Sequence, residues 1–115
     1  KETHIAAAGA LTKAVKAARA RHPQLLLEVE VENFSELHDA LGAGADRIML
    51  DEFSLADVRR AVAEVAGRVP LEVSGGLGLD ALPALAATGV AYISIGALTK
   101  HIRAVDLSMR ITFDA

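Results

Sequence analysis

Three glutamates at alternate positions, Glu28, Glu30 and Glu32, an aspartate at Asp51, and two apolar runs that stop in small residues concentrate the chemistry of this sequence. The runs are Leu71-Glu72-Val73-Ser74-Gly75-Gly76 and Tyr92-Ile93-Ser94-Ile95-Gly96-Ala97. A buried parallel strand is a short apolar run, and glycines at its end leave backbone N–H groups that an anion can approach closely. A helix starting just beyond adds its own unpaired N–H groups and positive dipole end. Two such ends side by side make a phosphate site. The acids supply the other half, since a period of two places Glu28, Glu30 and Glu32 on one face of a strand. Asp51, Ser74 and Ser94 close the strands that follow. Carboxylates on one side and bare amides on the other suit a phosphorylated sugar, the acids taking hydroxyls or a divalent cation.

Position separates these candidates. Glu30 and Asp51 stand at strand tips, where folding rarely needs an acid, and are favoured as functional groups. Glu28 lies nearer the middle of its strand and is equally readable as a buried acid paired with a lysine. Glu32 belongs to the rim or to a helix cap. Glu72, one layer beneath the Ser-Gly-Gly end, can support the site without touching a ligand. His22 and His38 read as surface residues, whereas His4 stands beside Lys1 and stays a candidate. Lys100 and His101 follow Gly96-Ala97 closely enough to face a phosphate, or else are solvated loop residues.

The elements that must position these groups follow from periodicity. Ile5, Ala8, Leu11, Val15 and Ala18 give a helical stripe over residues 2–20, opposite a basic face of Lys13, Lys16 and Arg19 that reads as solvated. A strand is expected over 25–32, then a helix that Asn33 and Glu36 open as a capping box and that Gly42 and Gly44 close. Residues 47–50 form a short buried strand ending at Asp51. Ser54 caps a helix carrying Leu55, Val58, Val62 and Val65. The Ser-Gly-Gly strand begins after Pro70, a helix covers 80–88, and a fourth strand covers 91–95. A helical turn over 99–104 and an extended segment over 106–113 complete the chain.

This order of alternating helices and strands with short connections calls for a parallel sheet with right-handed crossovers. The fold class is α/β, a partial TIM-like (β/α) barrel of about four parallel βα units repeating at roughly 23-residue intervals. A chain of 115 residues is one domain, well short of the ~250 typical of a whole barrel. The hydrophobic fraction is 52% with one Tyr and three Phe, so the core must be Ala, Leu, Val and Ile. No cysteine means no disulfide frame and no thiolate chemistry. A net charge of −3 gives no reason to expect nucleic acid. No apolar run approaches the ~20 residues of a membrane span, and a cytoplasmic home without a membrane partner is expected.

Lys1-Glu2-Thr3-His4-Ile5, Glu28-Val29-Glu30-Val31-Glu32, Ile48-Met49-Leu50-Asp51, Ser74-Gly75-Gly76 and Gly96-Ala97-Leu98-Thr99 stand in the order seen in quinolinate phosphoribosyltransferases. The tail from Lys100 to Ser108 resembles the bacterial form, and the resemblance covers essentially the whole chain. It implies transfer of a 5-phosphoribosyl group from phosphoribosyl pyrophosphate to the ring nitrogen of quinolinate, with Mg2+, in NAD synthesis. Carried onto this chain, the resemblance places Lys1 between quinolinate and the donor, Glu30 and Asp51 at the ribose hydroxyls and the magnesium-bound donor, and Ser74, Gly75, Gly76, Gly96 and Ala97 at phosphate with Lys100 nearby. Thr3 departs from the Asn common in the family.

The resemblance further implies that residues 1–115 are the C-terminal portion of the barrel domain, without the N-terminal sandwich domain and the first barrel strands. Those parts carry most of the cations for the two carboxylates of quinolinate, and the family implies a homodimer with a shared site. Three readings follow. The chain is the donor-binding half of the enzyme, active with its N-terminal remainder; or a catalytically inactive half-barrel that binds phosphate compounds or assembles with itself; or a relative that uses another acceptor.

Overall fold

The computed structural model describes residues 1–113. Two helices come first, α1 (Glu2–Ala8) and α2 (Leu11–Arg21), followed by β1 (Glu28–Val31), α3 (Phe34–Ala43), β2 (Arg47–Asp51), α4 (Leu55–Val65) and β3 (Leu71–Ser74). A single 3-10 turn (Leu79–Ala81) leads into α5 (Leu82–Ala86), then β4 (Tyr92–Ile93) and α6 (Ala97–Lys100). The four strands are parallel and lie in chain order, β1-β2-β3-β4. This is the expected succession of βα units.

The capping residues act as the sequence indicates. The Asn33 side chain accepts from the Glu36 amide, and the Glu36 carboxylate reaches back to the Glu32 amide at 2.9 Å. Ser54 accepts from the Asp57 amide and opens α4. Helix α3 ends on Gly44 at φ 78°, a left-handed conformation that glycine adopts without a Cβ clash.

Several expectations are corrected. The helix over 2–20 is two helices, because Gly9 at φ 75° closes α1 and Ala10 is fully extended ahead of α2. Strand β1 begins at Glu28 rather than at residue 25. Its partner β2 begins only at Arg47, opposite Glu28, and Leu27 just before is occupied by Asp46: the Leu27 carbonyl accepts from the Asp46 amide and its N–H donates to the Asp46 carboxylate. Residues 106–113, expected as an extended segment, belong to neither helix nor strand. The fourth strand and the helix before it are also shorter than expected, and the helical turn expected over 99–104 lies instead at α6, Ala97–Lys100.

Strand alternation divides the sheet into two chemically different faces. Val29, Val31, Ile48, Leu50, Leu71 and Val73 are buried, and they share one core with Leu37, Ala40, Val58, Ala61, Val65 and Leu85 of the covering helices. Residues of the other parity, Glu28, Glu30, Arg47, Met49, Asp51, Glu72 and Ser74, point away from the helices. Arg19 is also not a solvated residue of α2. Its guanidinium pairs with Asp46 at 2.7 Å and reaches the carbonyls of Leu25 and Gly44, tying α2 to the start of the sheet.

Candidate active site

The polar face of the sheet has two layers. In the lower one, parallel register sets Glu28 beside Arg47, and Glu72 beside Tyr92. Glu72 is buried at 6% exposure and is held from three sides. Arg47 Nη1 donates to its Oε2 at 3.3 Å, the Ser94 hydroxyl donates to its Oε1, and the Glu28 carboxyl lies close by. Burial alone would raise Glu72, but Ser94, Glu28 and Arg47 together hold it below the ordinary carboxylate range. Glu28 moves the other way, pushed up by burial and by the neighbouring Glu72 carboxylate. The two carboxyls are thus shifted in opposite directions, with Glu72 lying against Arg47. The guanidinium also lies 3.9 Å from the centre of the Tyr92 ring. Glu28 Oε1 and Arg47 Nε are buried without a partner among the described residues. The lysine partner considered for Glu28 is therefore replaced by Arg47 and Glu72.

The upper layer lies at the carboxyl tips, where parallel α/β sheets bind ligands. Glu30 is the next-to-last residue of β1, with its side chain 18% exposed, and Nζ of Lys1, just before α1, stands 4.0 Å from its Oε2. Burial pushes the Glu30 carboxyl up; Lys1 opposes this, and the negative charge of Asp51 adds to it. Asp51 ends β2 opposite Ser74. Just beyond, Glu52 takes φ 55° and donates its N–H to the Ser74 carbonyl, while Phe53 packs on Phe34 with ring centres 5.5 Å apart. That anchors the turn after Asp51.

Gly75 at φ 95° and Gly76 at φ 54° follow in the left-handed region. A Cβ on Gly75 would stand 2.7 Å from Glu52 N and 3.1 Å from Asp51 Oδ1, so the close approach of this turn to the Asp51 carboxylate requires glycine. The amides of Gly75, Gly76, Gly96 and Ala97 donate to no group among the described residues. Over Gly96 lies the Lys100 side chain, whose Nζ would be 3.6 Å from a Cβ placed there. The helices that follow have only five and four residues, so the bare amides and Lys100, not a long helix dipole, make this end receptive to an anion.

Lys1, Glu30, Asp51, Ser74 and the glycine turn therefore share one end of the sheet, with Gly96, Ala97 and Lys100 following on from β4. His4 and His101 are exposed, and their rings make no hydrogen bond or ion pair among the described residues. Glu32 is exposed at the cap of α3. Arg47 is the residue that sequence reasoning missed. Its signal is parity: it lies four residues before Asp51 on one strand and therefore shares its face.

Four parallel strands alternating with helices, whose strand tips set two carboxylates beside a glycine turn with free amides, define a (β/α)-barrel protein, here as four of its βα units. The chain matches the family model described as quinolinate phosphoribosyl transferase, C-terminal domain, over residues 1–110. It belongs to that family. It is 41% identical over 113 residues to the probable carboxylating nicotinate-nucleotide pyrophosphorylase of Bacillus subtilis, covering 97% of this chain and 39% of that protein. The Mycobacterium leprae enzyme of the same name is 38% identical over 112 residues, covering 95% and 39%. The nicotinate-nucleotide pyrophosphorylase structure from Francisella tularensis superposes with a TM-score of 0.87 at 48% identity, over 93% of this chain and 38% of that one. The chain thus spans about two fifths of the length of the relatives it matches. Among the described residues, no helix is long and apolar enough to cross a membrane.

Proposed function

We propose that this chain supplies the ribose- and phosphate-binding half of a quinolinate phosphoribosyltransferase site. The observation that carries the reading is the placement of Glu30 and Asp51 on neighbouring strand tips, with Gly75 folded against the Asp51 carboxylate. In the proposed reaction the 5-phosphoribosyl group of phosphoribosyl pyrophosphate passes to the ring nitrogen of quinolinate. Nicotinate mononucleotide, pyrophosphate and carbon dioxide result, the carboxylate beside the ring nitrogen leaving as carbon dioxide while its bonding pair stays on the ring carbon, which takes a proton from solvent. The bond between the ribose and pyrophosphate breaks with its electron pair leaving on pyrophosphate, and the ring nitrogen contributes the pair for the new bond. Positive charge builds on the sugar during this exchange, and carboxylates held close to it in a half-buried site stabilise that charge more strongly than water would. Glu30 and Asp51 have this role and also receive the ribose hydroxyls. Ser74, Gly75, Gly76, Gly96 and Ala97 hold phosphate, with the Lys100 ammonium beside them. Lys1, within reach of Glu30, stands between donor and acceptor.

The donor set also fits magnesium of a particular kind. No group of three or more His, Cys, Asp or Glu residues able to hold a metal ion occurs among the described residues. Two carboxylates, Glu30 and Asp51, suit a Mg2+ ion held largely by pyrophosphate oxygens and water. Such an ion, when bound, would neutralise charge on the leaving pyrophosphate. Beyond Lys1, the cations that quinolinate needs come in this reading from the N-terminal remainder, in a cytoplasmic homodimer whose subunits share the site.

The test is a chimera in which this chain replaces the matching stretch of the Bacillus subtilis relative. Quinolinate and phosphoribosyl pyrophosphate should yield nicotinate mononucleotide, and Glu30→Gln should lower kcat by about 10²–10³. A folded chimera without product, or one indifferent to Glu30→Gln, overturns the reading.

A further inference from the structure

The two arms that present bare amides at the strand tips are fixed to the sheet by different means. The first, Ser74-Gly75-Gly76, is tied by backbone: the Glu52 N–H donates to the Ser74 carbonyl, and Gly75 lies close against Glu52 and Asp51. The second, Ile95-Gly96-Ala97, has no such anchor among the described residues. The N–H groups of Leu98, Thr99, Lys100 and His101 donate to the carbonyls of Ile95, Gly96 and Ala97, so this turn bonds within itself. Ser94 is the last residue joined to the sheet, its N–H donating to the Val73 carbonyl at 2.9 Å. Behind it, β4 sets only Tyr92 and Ile93 in register with Glu72 and Val73, at the edge of the sheet. Binding groups must be held within about 0.5 Å of their productive geometry, and two ladder residues are a poor hold.

The polar face supplies what the ladder lacks. The Ser94 hydroxyl donates to Glu72 Oε1 on β3, and Glu72 Oε2 accepts from Arg47 Nη1 on β2 at 3.3 Å. The same guanidinium lies 3.9 Å from the centre of the Tyr92 ring on β4. Arg47 therefore reaches across β3 and grips β4 twice, directly at Tyr92 and through Glu72 at Ser94. Glu72 is buried, so the bond from Ser94 is shielded from competing water. Folding alone does not call for these groups, since well-packed apolar side chains fill such a layer at no desolvation cost. The cluster ends on the arm that lacks a backbone anchor. We infer that Ser94 is a positioning residue for phosphate: held through Glu72 by Arg47, it sets the Gly96 and Ala97 amides opposite those of Gly75 and Gly76, a role that rests on the phosphate reading of these four amides. An anion gripped from two sides needs both arms at a fixed spacing.

Inorganic phosphate titrated into the 15N-labelled chain, followed at these four amides by NMR, tests this. In the unaltered chain all four should shift together with one dissociation constant. Ser94→Ala should weaken that constant about 10-fold and shrink the response of Gly96 and Ala97 more than that of Gly75 and Gly76. Ser94→Thr restores the hydroxyl and should recover both. Arg47→Lys keeps the charge against Glu72 without the flat contact on Tyr92, and should weaken phosphate about 3-fold in the same pattern. It applies the same criterion if Ser94→Ala does not fold. A merely structural role would lower the melting temperature of the variants and leave the phosphate constant of the folded protein as it was. That result overturns the inference alone, as does a Ser94→Thr variant as weak as Ser94→Ala. Four silent amides in the unaltered chain overturn the phosphate reading together with it.

Discussion

Glu30 carries opposite demands. Burial and the nearby Asp51 charge push its carboxyl up, so the folded protein binds that proton more tightly than the unfolded chain does. A group shifted in this direction contributes its full stability below the ordinary carboxylate range and loses it as pH rises through the raised folded value. At neutral pH the ionised Glu30 therefore weakens the fold, although the proposed reaction needs its charge. Glu30→Gln should raise the melting temperature at pH 7 while abolishing most activity, and its advantage should vanish at pH values where Glu30 is protonated. Thermal melts across that range check this. Glu72 has the reverse sign: its carboxyl is held low, so its stabilisation is present at neutral pH and is lost on acidification through the folded value. Glu72→Ala leaves Arg47 facing Glu28 and frees the Ser94 hydroxyl. Because Arg47 retains some exposure, we expect a loss of about 2–3 kcal/mol in urea denaturation, below the range for a fully buried pair.

At the scale of elements, the turn after β3 holds the sharpest contrast. Gly75 and Gly76 both have positive φ, but only Gly75 is packed against a neighbour, with Glu52 N 2.7 Å from where a Cβ would sit. Gly76→Ala meets open space and should cost about 1 kcal/mol of left-handed strain. Gly75→Ala adds a collision with backbone and should cost about 2 kcal/mol or more. Paired thermal denaturation curves distinguish them. The strand-to-turn character of this segment was legible in the sequence, as were the caps at Asn33 and Ser54, because each depends on chemistry within three or four residues. Gly9 was not, since the stripe from Ile5 to Ala18 runs through it and local periodicity does not register one left-handed residue. The late start of β1 was hidden for another reason. Leu25, Leu26 and Leu27 look like strand, but pairing depends on where Arg47 begins β2, nineteen positions after Glu28. The carboxylates and glycines of the site were legible from alternation. The Glu28–Arg47–Glu72–Ser94 cluster spans three strands and the residue that follows β4, so it emerged only with their register.

The whole molecule is a one-sided structure. Its core lies between sheet and helices, and on the opposite face, which a closed barrel would fill with layered side chains, no second layer of secondary structure packs among the described residues. Neighbouring residues on β2 therefore face different environments: Ile48 is completely buried beneath the helices, and Met49 looks out on the polar face. Ile48→Ala removes methyl groups from a closed core and leaves a cavity there, so it should cost about 3 kcal/mol. Met49→Ala opens no enclosed cavity and should cost under about 1 kcal/mol in this chain. In a closed barrel Met49 would be packed on all sides, and the same substitution should approach the core value. Urea denaturation of both variants, in this chain and in the full-length chimera, makes the comparison. Convergence of the two costs in the chimera shows that its remaining strands cover the Met49 face, and persistence of the gap shows that this face stays open.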